Sequence, residues 1–184
     1  MDLLQEKKII QEAKKNPEAF ALLYDKYYKA IFSYILKRTA DIEIAQDITS
    51  QTFFKALRDL RKFRWQNIPF SAWLYRIAIN EINSFYRNKK KFINISLDNI
   101  SDIASPDTPD KDVEAAEKEL EKKEEFIKIH ESISKLNPIY QTVITLRFFD
   151  KKKISEISQI LGKSEGTIKS QIHRGLEELR KIIN

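Results

Sequence analysis

Apolar side chains recur every three or four residues along most of the chain, which is the spacing of amphipathic helices. In the N-terminal half this pattern predicts a helix that opens at Asn16 with Pro17 in its first turn, a second over about 41–60 and a third over about 69–90. We find no alternation with the period of two that a half-buried strand requires. The sequence therefore predicts an all-α fold.

A segment rich in aspartate and proline divides the chain. Residues 93–112 contain Pro106 and Pro109, which break a helix, and five aspartates against one lysine. The segment follows a basic run, so the sign of the charge changes at this boundary. This composition predicts a flexible acidic linker between two small helical domains, which span residues 1–92 and 113–184.

Near the end of the chain, residues that start and end helices occur in the order expected for a helix-turn-helix. Asn137 and Pro138 form a cap and first-turn pair, Gly162 can end a short helix, and Ser164 can cap the next one. This order of elements between Asn137 and Lys181 predicts a module that places its last helix in the major groove of duplex DNA. The alternative is a packed helical hairpin that binds no DNA.

The last helix is amphipathic, which defines the residues that could meet DNA. Ile168, Ile172, Leu176 and Leu179 fall on one side at about 100° per residue. The other side and its flanks are polar and cationic, as a surface that contacts phosphates and base edges should be. The candidate residues for binding duplex DNA are Gly166, Thr167, Lys169, Ser170, Gln171, His173 and Arg174.

Composition excludes several other classes of function. The formal net charge of +6 favours an anionic partner, and the absence of cysteine excludes disulfides and thiolate chemistry. The two histidines, His130 and His173, belong to no metal-binding motif, and no nucleophile or phosphate-loop signature is present. We therefore expect no enzyme, no catalytic residue, no metal, no cofactor and no small-molecule substrate. The sequence also lacks a signal peptide and an apolar run of membrane-span length, which predicts a cytoplasmic protein without membrane insertion.

The helix-turn-helix resembles a known family. The stretch EISQILGKSEGTIKSQIHR is similar to region 4 of bacterial RNA polymerase sigma factors, sigma-70 family, of the extracytoplasmic-function (ECF) type. That resemblance implies binding to the minus-35 promoter element. Lys153, Ser158, Lys169 and Gln171 depart from residues common in the family, so the promoter sequence itself is not defined.

The predicted second helix extends the resemblance. Its segment AQDITSQTFFKAL is similar to sigma region 2.2, which binds the clamp coiled coil of the largest polymerase subunit. An aromatic residue on its polar face also favours a partner, although an ordinary surface helix would share most of this pattern. The candidate residues for binding core polymerase are Asp47, Ser50, Gln51, Phe54 and Arg58.

The third helix and the loop before it resemble sigma regions 2.3 and 2.4, which engage the melted minus-10 element. Cations can hold phosphates, amides can contact base edges, and Tyr75 and Tyr86 could stack on unpaired bases. The resemblance implies that the loop helps to hold a flipped-out base, whereas Trp65 could instead only pack the loop onto the helices. The candidate residues for single-stranded DNA are Arg61, Arg64, Trp65, Arg76, Asn80, Asn83 and Arg87.

Taken together, these resemblances imply a sigma factor whose partners are core RNA polymerase, at its clamp and flap regions, and promoter DNA. The family often includes an inhibitory anti-sigma factor, which adds that partner to the expectation. A self-sufficient helix-turn-helix repressor or activator is the alternative, and it would bind a specific duplex by itself. A purely structural adaptor would neither bind a specific duplex by itself nor support promoter-dependent initiation with core polymerase.

Overall fold

The computed structural model describes residues 3–95 and 124–183, with side chains over 3–89 and 129–183. Within these ranges the regular elements are all helical, which confirms the all-α prediction. The positions predicted as linker and as the start of the second domain fall largely between the two ranges. The limits 1–92, 93–112 and 113–184 therefore stay predictions.

The N-terminal domain is built from four α-helices. They are α1 (Leu3–Ala13), α2 (Ala21–Thr39), α3 (Ile42–Asp59) and α4 (Phe70–Ile95), and a short 3-10 turn over Pro17–Phe20 leads into α2. The Asn16 side chain caps that turn by accepting the Glu18 N–H at 3.1 Å. The helices predicted near 41–60 and 69–90 are present as α3 and α4, whereas α1 was not predicted.

The core of this domain follows the helical pattern. The apolar face expected on α3 is buried, with Ala45, Ile48 and Ala56 exposed by 2% or less. Leu74 and Ala78 of α4 are likewise buried. Burial of these faces against α2 accounts for the main stabilisation of the bundle, because apolar area removed from water is the principal driving force.

The C-terminal domain continues the helical architecture. Helix α5 (Glu124–Ser134) is followed by α6 (Pro138–Ile144), a π-helical turn over Thr145–Phe149, α7 (Ile154–Leu161) and α8 (Glu165–Ile183). The expected single helix after Pro138 thus ends in a widened turn. Helices α7 and α8 form the helix-turn-helix.

The predicted caps of the helix-turn-helix are confirmed. The Asn137 side chain accepts the Ile139 N–H at 3.0 Å, and Ser164 Oγ accepts the Thr167 N–H at 3.2 Å. Gly162 ends α7 at φ +63°, in the left-handed region that favours glycine. One prediction about α8 is wrong: Leu176 is exposed and Gly175 is buried instead.

The two domains pack against each other. Helix α7 lies on α4, and the π-helical turn lies against α2. Leu146, Ile157 and Ile168 are fully buried and belong to the same apolar cluster as the core of the N-terminal domain. The described chain is thus in a closed arrangement, with the helix-turn-helix seated on α4.

Candidate nucleic-acid interface

The face of α8 expected to meet duplex DNA is open to solvent. Ser164 caps the helix, and the side chains of Thr167, Lys169, Ser170 and Arg174 are exposed. Gly166 is also exposed in the first turn. The free N–H groups and the positive end of the helix dipole at this terminus suit a phosphate, and the cations beside it add attraction.

Gln171 and His173, also predicted for this face, have surroundings that differ from those of the other candidates. Gln171 is half-buried, and its Oε1 is buried without a hydrogen-bond partner among the described residues. His173 is exposed, and its Nε2 lies 3.4 Å from Glu177 Oε1, one helical turn away. Gln171 is therefore less accessible to a base edge than its place in the pattern predicts.

Helix α3 presents the face predicted to bind polymerase. Phe54 is 66% exposed, and Asp47, Ser50 and Gln51 surround it on the solvent side. Arg58 lies one turn further along and is also exposed. An aromatic ring left in water among polar side chains is a common anchor of protein interfaces.

Arg58 is held by its neighbour. Its Nε and Nη2 donate to the two carboxylate oxygens of Asp59 at 3.2 and 2.8 Å. These hydrogen bonds raise the pKa of Arg58 and lower the pKa of Asp59. A partner that recruits Arg58 must therefore compete with a bidentate contact.

The single-strand face of α4 is divided between solvent and the second domain. Asn80 and Arg87 are exposed. Arg76 is exposed as well, and it also donates from Nε to the Ile160 carbonyl at 3.0 Å and from Nη2 to the Gln159 carbonyl at 3.1 Å. Asn83 lines a 130 Å³ cavity formed with residues of the second domain.

The two tyrosines that border this face differ in exposure, and only one of them is inaccessible to an unpaired base. Tyr75 is 2% exposed, and its hydroxyl donates to Asp150 Oδ2 at 2.9 Å, so its expected role as a platform for bases is wrong in this arrangement. Tyr86 is partly exposed, and its hydroxyl donates to the Arg38 carbonyl at 3.2 Å. Helical spacing could not reveal this, because the second domain buries Tyr75.

The loop before α4 keeps its cations in solvent. Arg61 and Arg64 are exposed. Trp65 is half-buried against the core, and its Nε1 donates to Asn67 Oδ1 at 3.0 Å. Packing of the loop, the structural alternative for Trp65, is thus present, and the ring retains some exposed surface.

Three polar residues at the domain interface were not found from sequence. Lys37 Nζ lies 3.4 Å from Asp150 Oδ1, and burial raises the pKa of Asp150. Arg38 is 4% exposed and donates from Nη1 to Thr142 Oγ1 at 3.2 Å. Their partners lie more than 100 residues away, so local spacing gives no signal for them.

Comparisons with known proteins show the family to which the chain belongs. Residues 23–92 match the family model for sigma-70 region 2, and residues 126–179 match the model for sigma-70 region 4. The chain is 32% identical to the ECF RNA polymerase sigma factor SigW of Bacillus subtilis over 98% of this chain and 97% of SigW. The chain belongs to the ECF group of RNA polymerase sigma factors.

Further relatives support the assignment. The ECF RNA polymerase sigma factor BldN of Streptomyces coelicolor is 29% identical over 90% of this chain, which spans 61% of BldN. The sigma factor RpoE of Bartonella quintana, solved in complex with the anti-sigma factor NepR, shares the fold. Its TM-score is 0.63 at 19% identity, with 89% of this chain and 96% of RpoE covered.

This sigma factor directs promoter-specific transcription initiation through RNA polymerase, and sigma factors are not catalytic enzymes. The comparisons give no support to a self-sufficient repressor or activator. Among the described helices, none combines the length and apolar character needed to cross a membrane.

Proposed function

We propose that α3 is the surface that docks on core polymerase, at the clamp of the largest subunit, with Phe54 as its central contact. The exposed ring supports this role, because the same helix buries its opposite face completely in the domain core. Burying a large aromatic side chain at the centre of an interface usually contributes more than the polar contacts around it. Asp47, Ser50, Gln51 and Arg58 form the surrounding polar rim.

The two domains divide the promoter between them in this proposal. Helix α8 binds the minus-35 duplex through its N-terminal half, where Lys169, Ser170 and Arg174 are exposed. Helix α4 and its preceding loop hold the melted minus-10 strand, with exposed cations at Arg61 and Arg64. The acidic segment 93–112 joins the domains and allows both to bind at once.

Partners beyond DNA follow from the same assignment. The second domain would contact the flap of the polymerase, and an anti-sigma factor would bind the free sigma factor, as NepR binds RpoE. RNA synthesis belongs to the polymerase, so no residue of this chain is given a catalytic role. The site of action is the cytoplasm, where the polymerase meets the promoter.

Reconstitution with core RNA polymerase tests the proposal. The labelled protein is titrated with core enzyme, and start sites are mapped on genomic fragments. Phe54→Ala should weaken core binding roughly tenfold or more, since it removes an interface anchor. Leu4→Ala is the matched control, because Leu4 is a comparably exposed apolar residue on α1, and it should bind core as the wild type does.

A second variant separates promoter reading from docking. Arg174→Ala should keep the wild-type affinity for core enzyme and lose selection of the minus-35 element, as removal of a base or phosphate contact would. A folded wild-type preparation that fails to bind core polymerase would contradict the proposed function. Unchanged promoter selection would remove Arg174 from the binding surface.

A further inference from the structure

A cleft of 800 Å³ lies between α4 and the start of α6, beside the end of α2. Its lining includes four cationic side chains, which are Arg38, Arg87, Lys89 and Lys135. Among the residues that the structure describes, no acidic side chain lines the cleft, and none forms an ion pair with these four cations. The volume is that of a small-molecule site, and the uncompensated charge favours an anion.

Arg38 is the buried part of this charge. Its side chain donates from Nη1 to Thr142 Oγ1 at 3.2 Å, and the residue is 4% exposed. Its Nε is buried without a hydrogen-bond partner among the described residues. A buried guanidinium without a carboxylate beside it is costly, because nothing replaces the water that it has lost. An anion bound in the cleft that Arg38 lines would offset this cost.

The remaining walls suit a heterocyclic base. The Tyr86 ring is 37% exposed, and its hydroxyl donates to the Arg38 carbonyl at 3.2 Å, which fixes the ring at the edge of the cleft. Leu136 and Pro138 add apolar surface. Gln141 donates from Nε2 to two backbone carbonyls at 2.9 and 2.8 Å, so Oε1 is the atom of this amide that remains to accept an N–H of a base. Aromatic stacking combined with a polar contact to the base edge is how proteins bind unpaired bases.

We propose that this cleft binds a nucleoside diphosphate or triphosphate, with its phosphates on Arg38, Arg87 and Lys135 and its base against Tyr86. Arginine presents a planar fork that matches phosphate oxygens, and lysine adds a compact charge. A single phosphate carries too little charge to neutralise four cations, which favours a chain of phosphates. Inorganic pyrophosphate would meet the cations alone and leave the ring and the amide unused.

The cleft overlaps only partly with the candidate surface for single-stranded DNA. Asn83 and Arg87 belong to both, whereas Arg38, Lys135 and Gln141 line the cleft and lie outside every candidate DNA set. A bound nucleotide would compete with the melted strand for the two shared residues. That consequence rests on the proposed function of α4, but nucleotide binding itself does not.

Calorimetric titration of the full chain with ADP, GDP, adenosine and pyrophosphate tests the proposal. We expect a Kd of about 1–100 µM for ADP or GDP, the usual range for ligands of this size. The affinity should fall as the salt concentration is raised, because exposed cations contribute to it. Pyrophosphate and adenosine should each bind at least about tenfold more weakly, since each lacks one half of the contacts.

Three variants locate the site. Lys135→Ala should weaken nucleotide binding about tenfold, because it removes a charged contact from an exposed position. Lys181→Ala is the matched control, since it removes the same charge from another exposed position of the same domain and should bind as the wild type does. Tyr86→Leu should abolish the preference for ADP over pyrophosphate and leave pyrophosphate binding unchanged. Circular dichroism establishes that each variant is folded.

Several results would overturn the proposal. They are the absence of nucleotide binding up to about 1 mM, pyrophosphate that binds as tightly as ADP, and equal losses in Lys135→Ala and Lys181→Ala. A labelled random single strand of about 20 nucleotides is titrated into the same variants. If Lys135→Ala weakens strand binding and leaves nucleotide binding unchanged, the cleft is part of the DNA surface and the proposal is wrong. A wild-type chain that binds core polymerase and no nucleotide would overturn this inference and leave the proposed function standing.

Discussion

Glu6 shows how one residue can organise a domain. Its carboxylate is 1% exposed and accepts the Phe70 N–H at 2.8 Å at the start of α4, together with the Tyr27 hydroxyl of α2. Lys26 Nζ lies 3.3 Å from the same carboxylate. A carboxylate at a helix N-terminus is favoured by the free N–H groups and the dipole there, so Glu6 joins three helices at one point.

Replacing Glu6 by alanine should destabilise the protein strongly. The change leaves the Phe70 N–H and the Tyr27 hydroxyl buried without their acceptor, which we expect to cost about 3 kcal/mol of unfolding free energy. Urea denaturation followed by circular dichroism measures the loss. Glu12→Ala, an exposed position on the same helix, should stay close to the wild type. Equal stability of the two variants would show that the buried network contributes nothing.

The residues that sequence reasoning located correctly are those whose role is local. Ser164 and Gly162 act on backbone groups a few positions away, so the sequence alone carries the signal for them. Glu6 acts on an amide 64 residues away, and no pattern around it indicates that partner. The same limit explains Tyr75, whose burial depends on the second domain.

At the scale of elements, α8 shows why helical periodicity identified the helix and yet misplaced part of its face. The buried stripe runs through Ile168, Gly175 and the half-buried Leu179, which share one side of the helix at spacings of seven and four. A search for apolar residues at helical spacing omits Gly175 and includes Leu176, which is exposed. The buried stripe passes through Gly175 because glycine has no side chain, which allows α6 to approach α8 closely at this position.

Filling Gly175 should weaken the second domain. A Cβ at Gly175 would lie 3.0 Å from both Ile144 Cδ1 and Tyr140 Cβ, so a larger side chain forces α6 and α8 apart. We expect Gly175→Val to lower the unfolding free energy by about 1–3 kcal/mol, the usual cost of overpacking. Thermal unfolding measures it.

Gly166 offers the matched position in the same helix. The nearest atom to a Cβ there is Ser164 Oγ at 3.9 Å, an ordinary contact. Gly166→Val should therefore unfold near the wild-type temperature, even though it can alter DNA binding. If both variants lose the same stability, the close packing at Gly175 is not the cause of the loss, because valine has a higher helix propensity than glycine.

For the whole molecule, the sequence indicated the two domains and their kinds of partner, but it gave no sign that they contact each other. Two modules with a linker could equally well be separate in space. The interface combines apolar burial around Leu146 and Ile157 with the polar contacts of Asp150 and Arg76. Local sequence patterns assigned Arg76 to another role and gave no signal for Asp150, so the contact becomes visible only in three dimensions.

The closed arrangement should depend on pH through Asp150. Burial at the interface is the main cause that raises the pKa of this carboxyl above its ordinary value, although Lys37 and Lys152 act in the opposite direction. Tyr34 and Tyr75, which also face it, stay neutral because burial raises the pKa of each. If separation of the domains returns Asp150 to water, the closed form binds its proton more tightly than the open form. Closure is then strongest below the ordinary carboxyl pKa and weakens as the pH rises through the raised pKa.

The distance distribution between nitroxide labels at Glu12→Cys and Lys181→Cys, both exposed positions, is recorded by pulsed electron resonance from about pH 4 to about pH 8 and checks this expectation. The open fraction of the wild type should increase with pH. Asp150→Asn keeps an acceptor for the Tyr75 hydroxyl and cannot ionise. The open fraction of this variant should therefore lack the increase with pH that ionisation of Asp150 causes in the wild type. His130, whose Nε2 lies 3.2 Å from the Arg38 carbonyl, is unchanged in the variant. The difference between the two profiles therefore isolates Asp150, and identical profiles would contradict its role.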